Sequence, residues 1–546
     1  MREKTHLLQN LNHFCPGKER FMFQKLKKAI VILVFLSSNY LMAQQNSLPL
    51  NSFFKDKFVE VSGKKSIETF FPANENQLNL NHLIRDSSVQ YVDIGIWLFK
   101  KHFVSVNKPE GNISISPLLD FSFGKEVTDS SRSTIYRNTR GVFVEGELLN
   151  KIGFNFIFAE NQSKFMQYES DYFNSRGEIR ISGNAYYVEN AVIPGGTRTK
   201  PFKVGGYDYA YSVGSISYQM NKNLRFDFGN NQHFIGSGYR SILLSDNTYG
   251  TPSLRVNWKI NPKWTYQVLV RRNQNLYRKP LTKAVEASYE SKFFGATYLT
   301  YKPKENISIS LFTAGNQLRG DSIIKHGFEW QMLTPIPLFQ NDALFGNSAK
   351  FNGISGLNVD FALKNVRLYG QLAMDKVNKK YLLAGQFGVH FFKILKVKNL
   401  NAQMEMNIVP ENFYVANNPK LSYSNYNLPS AHPKGNNFQE IVVRLNYEYK
   451  RLFINSKTVN YVSKLTNDSI PVLSNSIFNV NNNLGSKTTN TLVQEFEVGY
   501  RFNRRYNGMI VVGWKGRYSE FADKKIEQQM FFVGLRTGIC NQYLDF

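Results

Sequence analysis

Leu254-Arg-Val-Asn-Trp-Lys-Ile260 places Leu254, Val256, Trp258 and Ile260 on one face of an extended chain, and Arg255, Asn257 and Lys259 on the other. Successive side chains of a strand point to opposite faces, so this stretch reads as a strand with one apolar and one polar side. The pattern recurs in Ile152 to Phe158, Leu224 to Phe228, Ile307 to Leu311, Val366 to Leu372, Ala402 to Ile408, Ile441 to Tyr449 and Leu492 to Phe502. In the last of these, Glu495, Glu497 and Arg501 oppose Phe496, Val498, Tyr500 and Phe502. From about residue 112 to the end, the chain is expected to be all-β.

Two architectures produce such alternation: a soluble sandwich, or a closed barrel with lipid outside and a polar lumen. Soluble strands average about 5 to 6 residues and bilayer-crossing strands about 9 to 11, and several segments here reach the longer range. Aromatic residues near strand ends, such as Trp264-Thr-Tyr266, Tyr298 and Tyr301, suit the girdles of a membrane barrel. Asn261-Pro-Lys263 and Asn503-Arg-Arg505 read as short periplasmic turns, while Tyr414 to Asn437 and Thr466 to Thr491 read as extracellular loops. The ending Gln542-Tyr-Leu-Asp-Phe546 has the terminal aromatic of a barrel-assembly signal. The expectation is a large antiparallel transmembrane β-barrel over 112–546.

Ahead of it, Lys25, Lys27 and Lys28 precede the apolar run Ala29 to Leu36, and Leu41-Met-Ala43 offers a cleavage site. Residues 1–43 are therefore read as a signal peptide with an upstream extension before Met22. The apolar run is too short for a membrane anchor, which needs about 20 residues. Removing this leader lowers the net charge from +26 to +21 and takes away Cys15, leaving Cys540 with no internal disulfide partner. The excess of positive charge favours acidic partners, and export argues against nucleic acid. Within 44–111, an N-terminal irregular and helical periplasmic element, Asn46 to Pro72 shows no clear period. Val89, Val92, Ile96, Phe99 and Phe103 form a helical stripe after a candidate N-cap at Asp86.

Catalytic and cofactor signatures are missing. His82, His102, His233, His326, His390 and His432 have no zinc-pair spacing, and no Gly-x-Ser-x-Gly elbow occurs. No metal site, cofactor or enzymatic activity is expected. The candidate site is His233-Phe-Ile-Gly-Ser-Gly-Tyr-Arg-Ser-Ile-Leu-Leu-Ser-Asp246. Gly236 and Gly238 permit a sharp bend or close approach. Beside Tyr239, Arg240 and Asp246 are expected to pair, with Ser241, Ser245 and His233 extending a hydrogen-bonded network. A structural lock between an inward loop and the wall is the preferred role, over ligand contact. In a second loop, Leu428 to Glu440, prolines and a glycine present His432, Lys434 and Asn436, again chiefly as a turn. Tyr423 and Tyr426 are candidates for stacking on sugar rings, and Tyr207, Tyr209 and Tyr211 for a girdle.

Phe228-Gly-Asn-Asn-Gln-His-Phe-Ile-Gly-Ser-Gly-Tyr-Arg-Ser-Ile-Leu-Leu-Ser-Asp246 resembles the signature of the outer-membrane capsule-assembly (Wzi-like) proteins, most closely their gliding-motility (RemB) branch. Val192-Ile-Pro-Gly195, Tyr207-Asp-Tyr-Ala210, Leu368-Tyr-Gly-Gln371 with Asp375, Ala431-His-Pro-Lys-Gly435 with Phe438 and Glu440, and Leu535-Arg-Thr537 with Asp545-Phe546 follow in order. The resemblance implies a barrel of about eighteen strands, closed on its periplasmic side by an N-terminal helical plug element. It also implies a surface-exposed protein that binds extracellular or capsular polysaccharide, or the substratum, in gliding, attachment or capsule retention. Its partners would be outer-membrane lipid, the barrel assembly machinery and other gliding motility proteins. A departure is Leu311-Phe-Thr-Ala-Gly315, where relatives are expected to carry a glutamate. A transport channel for a polar or anionic solute is the alternative reading.

Overall fold

The computed structural model describes residues 50–73, 102–128, 134–182, 185–197, 199–278, 289–319, 327–333, 351–377, 380–416, 418–465, 487–521, 524–538 and 540–546. The expected signal peptide and the Asp86 helix fall outside these residues, apart from Phe103.

Eighteen antiparallel strands close a barrel. They are β1 (Gly111–Glu126), β2 (Thr134–Leu148), β3 (Ile152–Lys164), β4 (Gly206–Asn221), β5 (Leu224–Asn231) and β6 (Thr251–Lys259). Next come β7 (Trp264–Arg278), β8 (Tyr289–Lys304), β9 (Ile307–Leu318), β10 (Phe351–Ala362), β11 (Val366–Val377) and β12 (Lys380–Phe391). The wall is completed by β13 (Leu400–Val409), β14 (Phe438–Tyr449), β15 (Leu452–Leu465), β16 (Lys487–Asn503), β17 (Gly508–Phe521) and β18 (Lys524–Thr537).

Each strand pairs with its neighbour in sequence, and β18 returns to β1, with Met530–Arg536 opposite Asp120–Glu126. The earlier part of β1 is instead covered by the short strand Val104–Lys108, which pairs with Gly111–Ile115. At the closing point Leu119 N donates to Thr537 Oγ1 at 2.9 Å.

Burial along the strands is inverted relative to a soluble protein. Leu254 and Trp258 are 42% and 47% exposed, whereas Arg255 between them is 2% exposed. The apolar face meets lipid and the charged face meets the lumen, the alternation of a transmembrane barrel. Phe387, Met404, Ile441, Val498, Val512 and Phe531 continue the outward belt. Trp264 and Tyr301 stack with centroids 4.5 Å apart near the short-turn end, as girdle residues. Tyr298 points inward and is fully buried, and Tyr207, Tyr209 and Tyr211 are buried too, so these four are not girdle residues. Among the described residues, no helix is long and apolar enough to cross a membrane. The chain is a closed, antiparallel transmembrane β-barrel.

Asn261-Pro-Lys263 and Asn503-Arg-Arg505 lie at the end with short turns, which in such barrels faces the periplasm. Several segments of the described residues enter the lumen, among them the β3–β4 connection with its helix 167–175. From the periplasmic end come residues 50–73 and the tail 540–546. From the opposite end come the β5–β6 connection, 232–250, and the β13–β14 connection, 410–437.

The segment 50–73 contains helix α1 (Ser52–Ser62), in a region expected to be irregular. Asn51 caps it by accepting from Phe53 N at 2.9 Å, and Gly63 ends it at φ 55°. Phe54, Phe58 and Val59 pack on Ile67, Phe71, Phe234 and Phe392. The helical period is hard to see because Lys55, on the same buried side, interrupts the apolar stripe. After the helix, Phe70 and Phe71 pair antiparallel with Ile235 and Phe234 inside the lumen.

Ile242, Leu243 and Leu244 then meet inward-facing Leu269, Phe294, Tyr298, Phe312, Ala314, Ile354, Ala373 and Ala384 in one buried cluster with Phe70, Tyr414 and Tyr423. The lumen along β7 to β12 thus holds a filled apolar layer beside buried polar residues such as Arg271, Lys292 and Arg367. Burial of this much apolar side chain, at about 25 cal/mol per Å², is what holds the inserted loops in place.

Candidate functional site

Arg240 sits where segments inserted from the two ends of the barrel meet. Its Nη2 lies 3.1 Å from Glu440 Oε1 on β14 and 2.9 Å from Asp545 Oδ1 on the tail. Glu440 Oε2 also contacts His432 Nε2 at 2.7 Å and accepts from Asn407 Nδ2 at 2.9 Å. Asp545 Oδ2 accepts from the Tyr239 hydroxyl at 2.7 Å and pairs with Lys457 at 2.8 Å. Lys457 continues to Glu495 at 2.8 Å. The result is a chain of alternating charge running Glu440, Arg240, Asp545, Lys457 and Glu495, with His432 hydrogen-bonded at its Glu440 end. Isolated buried charges are costly, and pairing each with an opposite charge makes the burial tolerable.

The backbone of the loop is held as firmly. Glu405 accepts from Tyr239 N at 2.7 Å, Arg240 N at 3.0 Å and the Tyr369 hydroxyl at 2.8 Å. Gln371 Oε1 accepts from Ile242 N at 2.9 Å and from Ser241 Oγ at 3.2 Å, and Gln371 Nε2 donates to Ile235 O at 2.9 Å. Gly236 has φ +111°, and a Cβ there would run into Gln371. Gly238 is needed for a different reason: a Cβ there would lie 2.5 Å from Glu405 Oε2.

Arg240 and Asp246 do not pair, contrary to the sequence expectation. Asp246 accepts instead from Asn541 Nδ2 at 2.9 Å and the Tyr543 hydroxyl at 2.8 Å, both on the tail. Arg240 is drawn away because Glu440 and Asp545 together offer it more acceptor oxygens than Asp246. His233 also stands outside the ionic chain. It packs edge-on against Phe70, its Nδ1 has no hydrogen-bond partner, and burial pushes its imidazole well below the usual range. Ser245 Oγ accepts from Asn247 N at 3.2 Å, a local turn contact.

The second loop is an inward element rather than an extracellular one. Tyr414, Tyr423 and Tyr426 are buried, and the Tyr423 hydroxyl donates to Leu243 O at 2.9 Å, so Tyr423 and Tyr426 are not available to stack on sugars. His432 lies at the Glu440 end of the charge chain, and burial lowers its imidazole despite the neighbouring Glu440. Lys434 places its ammonium 4.5 Å from the Tyr461 ring, and Asn436 Nδ2 donates to Phe413 O at 2.8 Å.

The tail departs most from expectation. Phe546 does not end a wall strand; β18 stops at Thr537, and Phe546 lies in the lumen against Tyr168, Tyr172 and Phe173 of helix α2 (Gln167–Ser175). Burial would raise the Asp545 carboxyl, but Arg240 and Lys457 outweigh it and hold it well below the usual carboxylate range.

Glu405 and Lys457 were not singled out in the sequence, and Glu495 was named only as part of a charged strand face, although each occupies a lumen-facing position of an alternating strand. A further cluster was also missed. Ser116 Oγ lies 2.8 Å from His102 Nδ1, and His102 Nε2 lies 3.0 Å from Glu145. Ser116 is fully buried, so this serine presents no accessible nucleophile. Among the described residues, no group of acids, histidines or cysteines is arranged to hold a metal ion.

A cavity of about 410 Å³ lies between α1, the tail and the inward faces of β13 to β18 and β1 to β4; it reaches the periplasmic ends of β13 to β16, where Arg501 lies, and on β1 and β2 extends toward the opposite end at Ile135 and Arg137. Asp56, Lys57, Asp120, Arg444, Glu497, Arg501 and Arg536 are among its lining residues.

No family model matches the chain, and no curated protein matches it. Among solved structures, the chain is similar to Wzi, described as a carbohydrate-binding β-barrel of the outer membrane involved in group 1 capsule assembly in Escherichia coli. The TM-score is 0.49 at 10% identity, over 91% of this chain and 100% of that one. It is also similar to the outer membrane protein OprD of Pseudomonas aeruginosa, with TM-score 0.38 and 11% identity over 78% and 93% of the two chains. For OpdQ of the same organism the values are 0.39 and 10%, over 79% and 98%.

Proposed function

We propose that this chain is a plugged, non-enzymatic barrel that acts at the cell surface, binding extracellular or capsular polysaccharide or the substratum in gliding, attachment or capsule retention. The observation that carries the reading is the buried apolar cluster in which Ile242, Leu243 and Leu244 pack on the inward faces of β7 to β12. A lumen filled in this way suits a scaffold better than a pore. The residue resemblance around Phe228 to Asp246 and the strongly basic composition favour an acidic glycan.

On this reading, His233 to Asp246 and His432 to Asn436 lock the fold and do not touch the glycan, which would engage the outer rim of the barrel. Residues 1–43 would direct export, the barrel assembly machinery would insert the wall, and gliding motility proteins would be its neighbours in the membrane.

The periplasmic cavity favours the alternative, a channel for a polar or anionic solute whose plug moves aside. Purified protein in planar bilayers, together with binding to acidic and neutral polysaccharide beads, separates the two. The proposal expects no steady conductance and retention on acidic beads. Steady conductance without retention would overturn it in favour of the channel.

A further inference from the structure

Arg501, on β16, differs from every other basic residue lining the periplasmic cavity. Among the described residues, Lys57, Arg137, Arg444, Lys457, Lys515 and Arg536 each have a carboxylate within ion-pair distance. Arg501 has none, although it is only 5% exposed, and its Nε and Nη1 make no hydrogen bond. Its guanidinium carbon lies 3.9 Å from the ring centroid of Phe53 on α1 and 4.9 Å from that of Phe453 on β15.

Stacking of this kind covers the face of a guanidinium and leaves its edge, where the donors are, for an acceptor. Nearby, Arg504 pairs with Glu448 and Arg536 with Glu497, each at 2.6 Å. Three guanidiniums therefore face two carboxylates, and the local excess is positive.

Leaving buried charged donors without acceptors is unfavourable, and a planar oxyanion supplied by a ligand satisfies the fork of an arginine. The cavity's 410 Å³ lies within the range of small-molecule sites. Phe53, Phe392, Tyr447 and Phe453 line it and give apolar faces beside the charge.

We propose that the periplasmic cavity binds a small carboxylate-bearing solute, about one or two sugar rings in size, with the carboxylate on Arg501. The site lies at the end of the barrel opposite the surface at which polysaccharide would be held, and it stands or falls independently of that activity.

The test is isothermal titration calorimetry of the full folded barrel in detergent with sodium glucuronate, glucose and sodium phosphate. Glucuronate is expected to bind, with glucose and phosphate at least tenfold weaker. Arg501→Gln is expected to weaken glucuronate at least tenfold, and Phe53→Leu, a change on the helix rather than the wall, severalfold. Folding of each variant is checked by heat-modifiable gel migration. If Arg501→Gln does not fold, Phe53→Leu decides. No glucuronate binding by the native chain, equal binding of phosphate, or unchanged affinity in a folded variant would overturn the proposal.

Discussion

Nη2 of Arg240 lies 2.9 Å from Oδ1 of Asp545, so a loop entering the lumen from the extracellular end is tied to a tail entering from the periplasmic end. Removing one partner of a buried pair leaves the other uncompensated, at a cost of about 3 to 5 kcal/mol. Asp545→Ala and Arg240→Ala should therefore each shift the urea midpoint and reduce the heat-resistant band on semi-native gels. The double variant should cost less than the two single costs added, because the groups share one network. Strict additivity would show that the contact is not energetically coupled.

Asp246 predicts a different pattern. Its hydrogen-bond partners are two donors, Asn541 and Tyr543, and among the described residues no cation lies within ion-pair distance, Lys55 acting on it only from farther off. Asp246→Asn keeps an acceptor oxygen and should cost under about 1 kcal/mol, whereas Asp246→Ala strands both donors and should cost about 1 to 3 kcal/mol. Equal losses in the two variants, measured by urea unfolding, would contradict this assignment.

Gly236→Ala forces a side chain into φ +111° against Gln371, while Gly238→Ala brings a methyl group against Glu405 in an otherwise ordinary conformation. Both should lower folded yield, the first by more than about 1 kcal/mol of stability. Gln371→Ala should partly rescue Gly236→Ala and leave Gly238→Ala unrescued, because the two methyl groups meet different wall residues.

Stability should also respond to alkali through Lys55. Burial lowers its pKa to about 8, against the opposing pull of Asp56 and Asp246, with Arg444 adding to the lowering. Its ammonium donates to Gly238 O at 2.5 Å and lies 3.8 Å from the Phe234 ring. Between about pH 8 and pH 10.4 the unfolded chain binds more protons at this group than the folded one, so stability rises with pH across that window. The gain is on the order of 3 kcal/mol. Lys55→Met should flatten the rise in urea midpoints measured at pH 7.5, 9 and 10.5. Asp545 acts in the opposite range: its depressed pKa contributes stability above the ordinary carboxylate value, lost as pH falls below it.

The wall was legible because lipid imposes a strict period of two. Leu254 to Trp258 shows the expected alternation, with Leu254 and Trp258 out and Arg255 in, and Ile441 to Tyr449 alternates as expected, although Val442 on its inward side is apolar. The interior was less legible, since alternation tells which side chains face the lumen but not which of them meet across it. Arg240 was recognised as a network residue and given the wrong partner, because Asp246 is near in sequence while Glu440 and Asp545 are near only in space. Tyr423 and Tyr207 were misplaced for a related reason: an aromatic in a polar stretch looks the same whether it stacks on a plug or lies at a membrane surface. Helix α1 escaped because a buried lysine broke its apolar stripe.

The joint between β1 and β18 has one further consequence. Every other pair of neighbouring strands is also connected along the chain, but these two are joined by hydrogen bonds alone: a ladder from Asp120 to Glu126, flanked by Leu119 to Thr537 at one end and Val127 to Gln529 at the other. The strand Val104–Lys108 occupies the rest of that edge and keeps it from templating other chains. Sideways parting of the wall therefore has a preferred place, and a lipid-facing door in this barrel would be hinged on residues that precede the barrel itself.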